Sequence, residues 1–405
     1  MGAVRMAWRN LWRIPRRTGI VLAAVAVGIS GVVLSMAIYN GMILQMVEAA
    51  IASELGHLQV HAPGFDRNPL LRLRLGDGGH QAVRVLGDLP GVQAFARRVR
   101  SEGLVSSARA HVGVRVVGIE PEAEARVTTL ANDVVRGVYL DGVPRRLLLG
   151  DELARRLHVD VGSKVVVSVQ DLTGDLTGEA FRVGGIFRSS SGERERGTVF
   201  LQLAESQRLF GLGEAVSEVV VLARDVDGLA GLQQTLREEL GPEVEVQTWE
   251  ELRPFLVQIV RLFDQTGWTI YAAVFVAMMF GIANVLLMSV FERTREIGIV
   301  LALGMRPRGV VAVLVIEALL LTFLGLALGY AVAAGAVFFL RGGIDLSLFA
   351  EGLAWMGMPS RIVPVIRTYD LVVPISVAFI TAGLASLWPA LRAARLRPAE
   401  AMRHV

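Results

Sequence analysis

The chain has 405 residues, 53% of them hydrophobic and only 20% charged, with a mean hydropathy of +0.51. A soluble chain carries about 45–50% apolar residues and about 25% charge, so the excess points to membrane-spanning segments. The lack of any cysteine excludes disulfides, thiol catalysis and Cys-based zinc or iron–sulfur sites, while a formal charge of +3 and a pI near 9.6 suggest a nucleic-acid partner only until the charge is placed along the chain.

Residues 1–17 carry Arg5, Arg9, Arg13, Arg16 and Arg17 and no acid. Arg5, Arg9 and Arg13 recur every four residues, with Val4, Trp8, Leu11 and Trp12 on another side. This predicts a short amphipathic helix on the cytoplasmic face, its tryptophans at headgroup depth. The plainer alternative is a positive flank that only sets topology. Residues 18–47 contain no charge and form the first span. Its apolar run exceeds the h-region of a signal peptide and lacks a convincing cleavage site, so it reads as a retained anchor.

Residues 48–264 form a large insert of α/β pattern. Residues 57–61 (HLQVH) alternate like a strand; 113–119 and 164–170 are β-branched runs. Residues 150–157 read as a short helix. The polar stretch 170–180 is a hairpin tip between strands 164–169 and 181–187. Residues 218–223, 227–240 and 244–249 read as strand, helix and strand, with Leu229, Leu232, Leu236 and Leu240 on one apolar face. The first span is expected to continue toward Ser53, and the second to begin as a helix near Glu250, giving two stalks.

Residues 265–291 are a second charge-free gap, 309–340 a third broken only by Glu317, and 371–391 a fourth. About 20 apolar residues cross the hydrocarbon core, and only a helix satisfies its own backbone there. The fold class is therefore an α-helical membrane protein with four transmembrane helices and a large α/β extracytoplasmic, periplasmic domain inserted between helices 1 and 2.

Arginine placement orients it. Both termini (1–17 and 392–405) and the loop 292–308 are cytoplasmic; the insert 48–264 and the loop 341–370 lie outside. The cytoplasmic segments then carry +10, the insert −6, Glu317 −1 and the outer loop zero. The basic excess is a topology signal, and nucleic acid drops out as a partner.

Motifs for catalysis are missing. There is no GxxxxGK[ST] phosphate loop, no G-x-S-x-G elbow and no HExxH pair. Asp151-Glu152, Glu238-Glu239 and Glu250-Glu251 read as solvated helix turns. His57 and His61 share a strand face, which reads as an ordinary exposed face before it reads as a metal site. No catalytic residue and no metal site is expected.

The loop 292–304 (ERTREIGIVLALG) is helix-compatible, with Gly304 as its C-terminal stop and Pro307 beyond. A charged helix between two spans suits docking, or serves simply as a connector. This loop, with the tail 389–403 (PALRAARLRPAEAMR), resembles the FtsX-type permeases of ABC transporters, in the group containing MacB and LolC/LolE. The opening MAWRNLWR (6–13) and HLQVHAPGF (57–65) resemble the lipoprotein-releasing branch. The short, polar tip 170–180 departs from the longer chaperone-recruiting hook of the LolC type and leans toward the LolE-like branch, or toward a homodimer without that chaperone.

The resemblance implies a non-catalytic permease subunit working by mechanotransmission. It binds no cofactor itself; ATP and Mg belong to a separate dimer of ABC ATPase subunits. A second permease, identical or homologous, completes the membrane dimer, and membrane lipids, lipoprotein cargo and a periplasmic chaperone are the further partners implied. Glu292, Arg293, Arg295, Glu296, Gly298 and Gly304 would form the coupling helix. Acyl chains would enter a cavity between the first and second spans, where Met36, Tyr39, Met42, Ile43, Trp268, Tyr271 and Phe275 offer adaptable apolar surface. The alternative for each is packing among the spans. Glu317 is expected to face the bundle interior with a partner, in a structural or coupling role. Gly325 and Gly329 are spaced for close helix packing. A MacB-like tripartite export permease and an FtsX-like permease regulating a cell-wall hydrolase are the alternative functions.

Overall fold

The computed structural model describes residues 2–13, 15–77, 79–189, 192–349, 352 and 361–395. Contacts divide it into two units, residues 44–258 with 346–360, and residues 1–43, 259–345 and 361–405.

The second of these units is helical. α1 (Gly2–Leu11) precedes α2 (Pro15–Ala50), whose last turn relaxes into a π-helix at Ile51–Leu55. Among the described residues four helices are long and apolar enough to cross a membrane: Thr18–Leu55, Pro254–Glu292, Pro307–Gly342 and Thr368–Ala394. Val25, Ile29, Val32, Met36, Tyr271, Phe275, Leu326 and Ala378 pack into one core among them. The outward faces stay apolar, with Ile20, Val27, Phe280, Phe323, Leu328, Val332, Ile380 and Leu384 exposed. A helix apolar all round is a membrane span.

The small residues do what their spacing predicts. A Cβ at Gly325 would lie 2.5 Å from Val25 Cγ1, and one at Gly329 would lie 2.9 Å from Ile29 Cβ and 3.0 Å from the Ala26 carbonyl. Both glycines let the first and third spans touch backbone to side chain. Without a hydrophobic drive in lipid, such close packing is what holds spans together.

The other unit is α/β. Ten strands form one sheet in the order β10-β1-β9-β2-β3-β8-β5-β7-β4, with β6 pairing both β2 and β7. Their ranges are β1 Leu58–His61, β2 Val92–Ser106, β3 His111–Ile119, β4 Val134–Gly137, β5 Arg146–Gly150, β6 Lys164–Gln170, β7 Leu176–Phe187, β8 Thr198–Gln202, β9 Glu218–Ala223 and β10 Glu245–Thr248. Pairing is antiparallel except β3 with β8 and β5 with β7. One apolar cluster, including Val99, Leu147, Leu153, Phe181, Phe210 and Leu236, is the main core. A second contains Ile119, Leu130, Leu148, Phe187 and Phe200.

The helices of this unit are α3 (His80–Asp88), α4 (Pro121–Val127), α5 (Asp151–Leu157), α6 (Gly192–Gly197), α7 (Leu203–Phe210), α8 (Leu229–Leu240) and α9 (Trp249–Leu252). Most of the predicted strands and helices fall within a residue or two of these bounds. The hairpin is tighter than expected. Leu176 already pairs with Gln170, and Asp171 Oδ1 accepts from the Thr173 and Asp175 amides to close the turn.

Two expectations need correcting. The strand 57–61 is not an exposed face: all four residues of β1 are buried between β10 and β9. The His61 ring lies 3.0 Å from both the Ala62 carbonyl and Gln247 Oε1, and His57 Nδ1 accepts from the Ala223 amide at 3.0 Å. Both histidines are hydrogen-bonding parts of the sheet. Second, the helix near Glu250 is not continuous with the span. α9 starts with a capping box between Thr248 and Glu251 and stops at Arg253, because Pro254 pushes the residue before it out of helical conformation. A new helix, α10, then runs Pro254–Glu292.

Candidate functional site

After α10, the chain bends at Arg293 into α11 (Thr294–Ala302), and Gly304, at φ +94°, ends that helix. Pro307 opens α12 (Pro307–Phe339) at its first turn, where a missing amide is harmless. The helix expected between the second and third spans is thus present, bounded by the residues expected to bound it.

The side chains on it and flanking it divide into two sets. Glu292, Arg295, Ile299 and Leu303 are exposed, Leu303 by 83%. Arg293 and Gly298 turn inward instead. Arg293 Nη1 lies 3.7 Å from Glu317 Oε2, with the two side chains 14% and 5% exposed. Its Nε lies 3.6 Å from Glu296 Oε2. Glu296 in turn receives two contacts from Arg13, at 2.6 and 2.7 Å. Arg13 and, less strongly, Arg293 hold the Glu296 carboxyl below its usual range. So Arg13, just past α1, Glu296 of α11, Arg293 at the bend and Glu317 of α12 form one chain of alternating charge. Glu317 has the interior partner expected of a membrane glutamate.

Beside this chain lies a cavity of about 170 Å³. Ile297, Val300, Met305, Val313 and Leu314 make its apolar wall, and Arg13 and Arg293 sit at its polar side. α1 packs on α12, its Ala7 and Leu11 are buried, and Val4, Trp8 and, just past the helix, Trp12 are exposed. That is the amphipathic helix predicted, docked on a span by one face.

The opposite ends of the four spans are held by Asp370, at the start of α13 (Thr368–Ala394). Asn40 Nδ2 donates to Asp370 Oδ2 at 2.5 Å, the Arg367 amide at 3.1 Å, and the Tyr271 hydroxyl to Oδ1 at 3.5 Å. Tyr330 donates to the Leu371 carbonyl at 2.6 Å. All four spans contribute to this knot. Sequence reasoning did not single out Asn40 or Asp370; an amide inside an uncharged span was the available signal.

The proposed cargo-cavity residues separate accordingly. Met36, Ile43, Tyr271 and Phe275 are buried, three of them in the core among the spans. Tyr39 and Met42 are half-buried, with Tyr39 against Phe263. Trp268 is 53% exposed and meets Tyr271 and Tyr369 edge-on. The outward surface of this group is therefore Trp268 with parts of Tyr39 and Met42.

The α/β unit carries its own charge network. Arg98 on β2 binds Glu124 on α4 through two contacts of 2.9 and 2.7 Å, and donates to the Glu54 carbonyl at 2.6 Å. Glu218 lies 3.7 Å from Arg98 and 3.6 Å from Arg100. Glu54, in the π-turn, pairs with Arg115 at 3.0 Å and faces Arg253 at 3.9 Å. The Trp249 amide also donates to the His57 carbonyl. The network therefore fixes residues 51–57 and 249–253 to the sheet. Among the described residues no cluster of His, Asp and Glu is arranged to hold a metal.

Four apolar helices, a large α/β domain with an ionic interior, and a short charged helix between two spans define a polytopic membrane protein. A profile of the MacB-like periplasmic core domain matches residues 18–239, and one of the FtsX-like permease C-terminal region matches residues 268–398. The chain belongs to this family of MacB-like, FtsX-type permeases. It is 26% identical to the lipoprotein-releasing system transmembrane protein LolC of Xylella fastidiosa, over 97% of this chain and 96% of that one. It is 22% identical to LolE of Haemophilus influenzae, over 77% and 78%. It is 27% identical to the macrolide export ATP-binding/permease protein MacB of Hyphomonas neptunium, over 99% of this chain but 60% of that one. LolC and LolE both match, so these figures do not single out the LolE-like branch.

Proposed function

We propose that this chain is the permease subunit of an ABC transporter that extracts lipoproteins, or lipids, from the inner membrane for release toward the outer membrane. The observation that carries this reading is likeness along nearly the whole of both chains to a LolC protein. The physics agrees. Burying an acyl chain is worth about 0.8 kcal/mol per CH₂, so pulling it out of a bilayer needs external energy. This chain has no phosphate loop to supply it, and an ATPase partner fills that role.

In this reading both termini and α11 are cytoplasmic, and the α/β domain lies between the first two spans in the periplasm. Closure of an ATPase dimer pushes on the exposed side of α11, and the long helices carry the movement outward. ATP and Mg stay with the partner, and a second permease completes the dimer. Trp268, Tyr39 and Met42 are the residues of the cargo group with surface to offer.

The test is depletion in the source bacterium followed by fractionation. Outer-membrane lipoproteins should accumulate in the inner membrane; correct sorting after depletion would overturn the reading. A MacB-like export permease is the second reading, favoured by the full-length alignment with a MacB relative. Copurification with an outer-membrane channel and an adaptor, with lipoprotein sorting intact, would establish it instead.

A further inference from the structure

We infer that Glu317 is a positioning residue for α11, acting through Arg293. The inference rests on the reading of α11 as the ATPase-docking helix and adds what holds it in place. Three observations lead here. Glu317 is 5% exposed on a span, where an ionised carboxylate is costly without a partner. Arg293, at the bend between α10 and α11, turns its guanidinium inward to within 3.7 Å of that carboxylate. The bend itself, at φ −111° and ψ 13°, is outside helical values, so local backbone preference does not fix the angle of α11.

The apolar contacts of α11 are also incomplete. Gly298 is its one fully buried residue, and the wall formed by Ile297 and Val300 borders the 170 Å³ cavity. Packing alone therefore leaves room for α11 to tilt. The outer link, Arg13 to Glu296, joins two side chains that are 58% and 47% exposed. Exposed pairs of that kind contribute little, because water screens them. The inner pair is removed from water, so removing one partner leaves the other buried without its counter-charge. Glu317 then sets the angle at which α11 meets its partner, and a push on α11 is transmitted to the third span through Arg293.

The chain has no cysteine, so two labels can be placed without background. Nitroxides on Leu303→Cys, the residue that caps the end of α11, and Phe323→Cys on α12, both exposed, report the angle by electron–electron distance in the full-length protein. A single narrow distribution is expected. Glu317→Gln should at least double its width, and Glu317→Asp should fall between. The exchange Arg293→Glu with Glu317→Arg should restore the narrow distribution; a purely space-filling role would not be rescued this way. An unchanged width in Glu317→Gln, or an exchange as broad as the single variants, overturns the inference. In the intact complex with its ATPase, Glu317→Gln should lower coupled ATP hydrolysis at least fivefold, with recovery in the exchange; full coupling despite a broadened distribution also overturns it. Failure of the docking reading shows differently: Arg295→Glu, on the exposed side, would then leave ATPase association intact whatever the distances show.

Discussion

Arg98 and Glu124 meet side-on inside the α/β domain, guanidinium against carboxylate, with 3% and 0% of their side chains exposed. Burial works against the charge on Arg98, but Glu124, Glu218 and Glu54 overcome it and hold its pKa above the ordinary value. Glu124 also accepts from Thr128 Oγ1 at 2.9 Å. Removing one member leaves the other charged in a dry interior. Glu124→Ala should therefore destabilise the domain by about 3–5 kcal/mol. The joint replacement Arg98→Met with Glu124→Leu should cost much less, because no orphan charge remains. Thermal unfolding of the full-length protein in detergent measures both; equal losses in the two variants would refute the argument.

The helix contact at Gly329 gives a second prediction. Gly329→Ala puts a methyl 2.9 Å from Ile29 Cβ and 3.0 Å from the Ala26 carbonyl, so the first and third spans must separate. A loss of about 1–3 kcal/mol follows from overpacking. Because alanine at 29 keeps the Cβ that makes the closest contact, and the Ala26 carbonyl also blocks the site, Ile29→Ala removes only the Cγ2 contact and should recover only part of it. Full recovery in the double variant would place the clash on the side chain alone.

These two sites also show where the sequence was legible. The spans were plain from charge gaps, and the Gly325–Gly329 spacing correctly anticipated a close contact. Strands with clean β-branched runs, such as β3, β6 and β9, were found. β2 was not, although it is the longest strand. It carries Arg97, Arg98, Arg100 and Glu102, and polar residues normally mark the solvent face of a strand. Here Arg98 points inward to acids on α4 and β9, which inverts the pattern. Only the fold supplies those partners. The same holds for Arg293: its position in the loop was read as outward docking charge, and its partner Glu317 was visible only as an isolated charge in a span.

Asp370 yields a third prediction. It caps its own helix by accepting from the Arg367 amide, and it accepts from Asn40 and Tyr271. Asp370→Ala should cost about 1–3 kcal/mol by leaving buried donors unsatisfied. Asn40→Ala should cost less, since the acid keeps its other donors. Detergent-phase melting of the two variants gives the order; a larger loss in Asn40→Ala would contradict it.

Acid should weaken the domain partly through His57. Burial holds this imidazole below its ordinary value, and its Nδ1 accepts from the Ala223 amide. With the folded value depressed, the unfolded chain takes up the proton first. The contribution to stability is therefore whole above about pH 6.5, the ordinary histidine value, and is lost as pH falls below it. His57→Asn keeps an acceptor without a titrating group. Its melting temperature should fall less steeply between about pH 6.5 and 5 than that of the native chain. Parallel slopes would exclude His57 as the source.

The helix α11, read as the docking element, supplies the last prediction, and the structure sharpens how to make it. Replacing residues 292–296 as a block would mix two effects. Arg293 and Glu296 hold α11 to Glu317 and Arg13, whereas Glu292 and Arg295 face outward. Single changes separate these. Arg295→Glu should leave stability within about 0.5 kcal/mol of native, as for other exposed substitutions. It should still weaken capture of the ATPase subunit by roughly tenfold, equivalent to about 1.4 kcal/mol. Leu303→Asp, on the same exposed side, should do likewise, because an apolar side chain left 83% exposed has contact area to give a partner. Quantitative pull-down of the ATPase with each variant, alongside its melting curve, decides the matter. Undiminished capture by both variants would mean that α11 is a connector and that docking lies elsewhere.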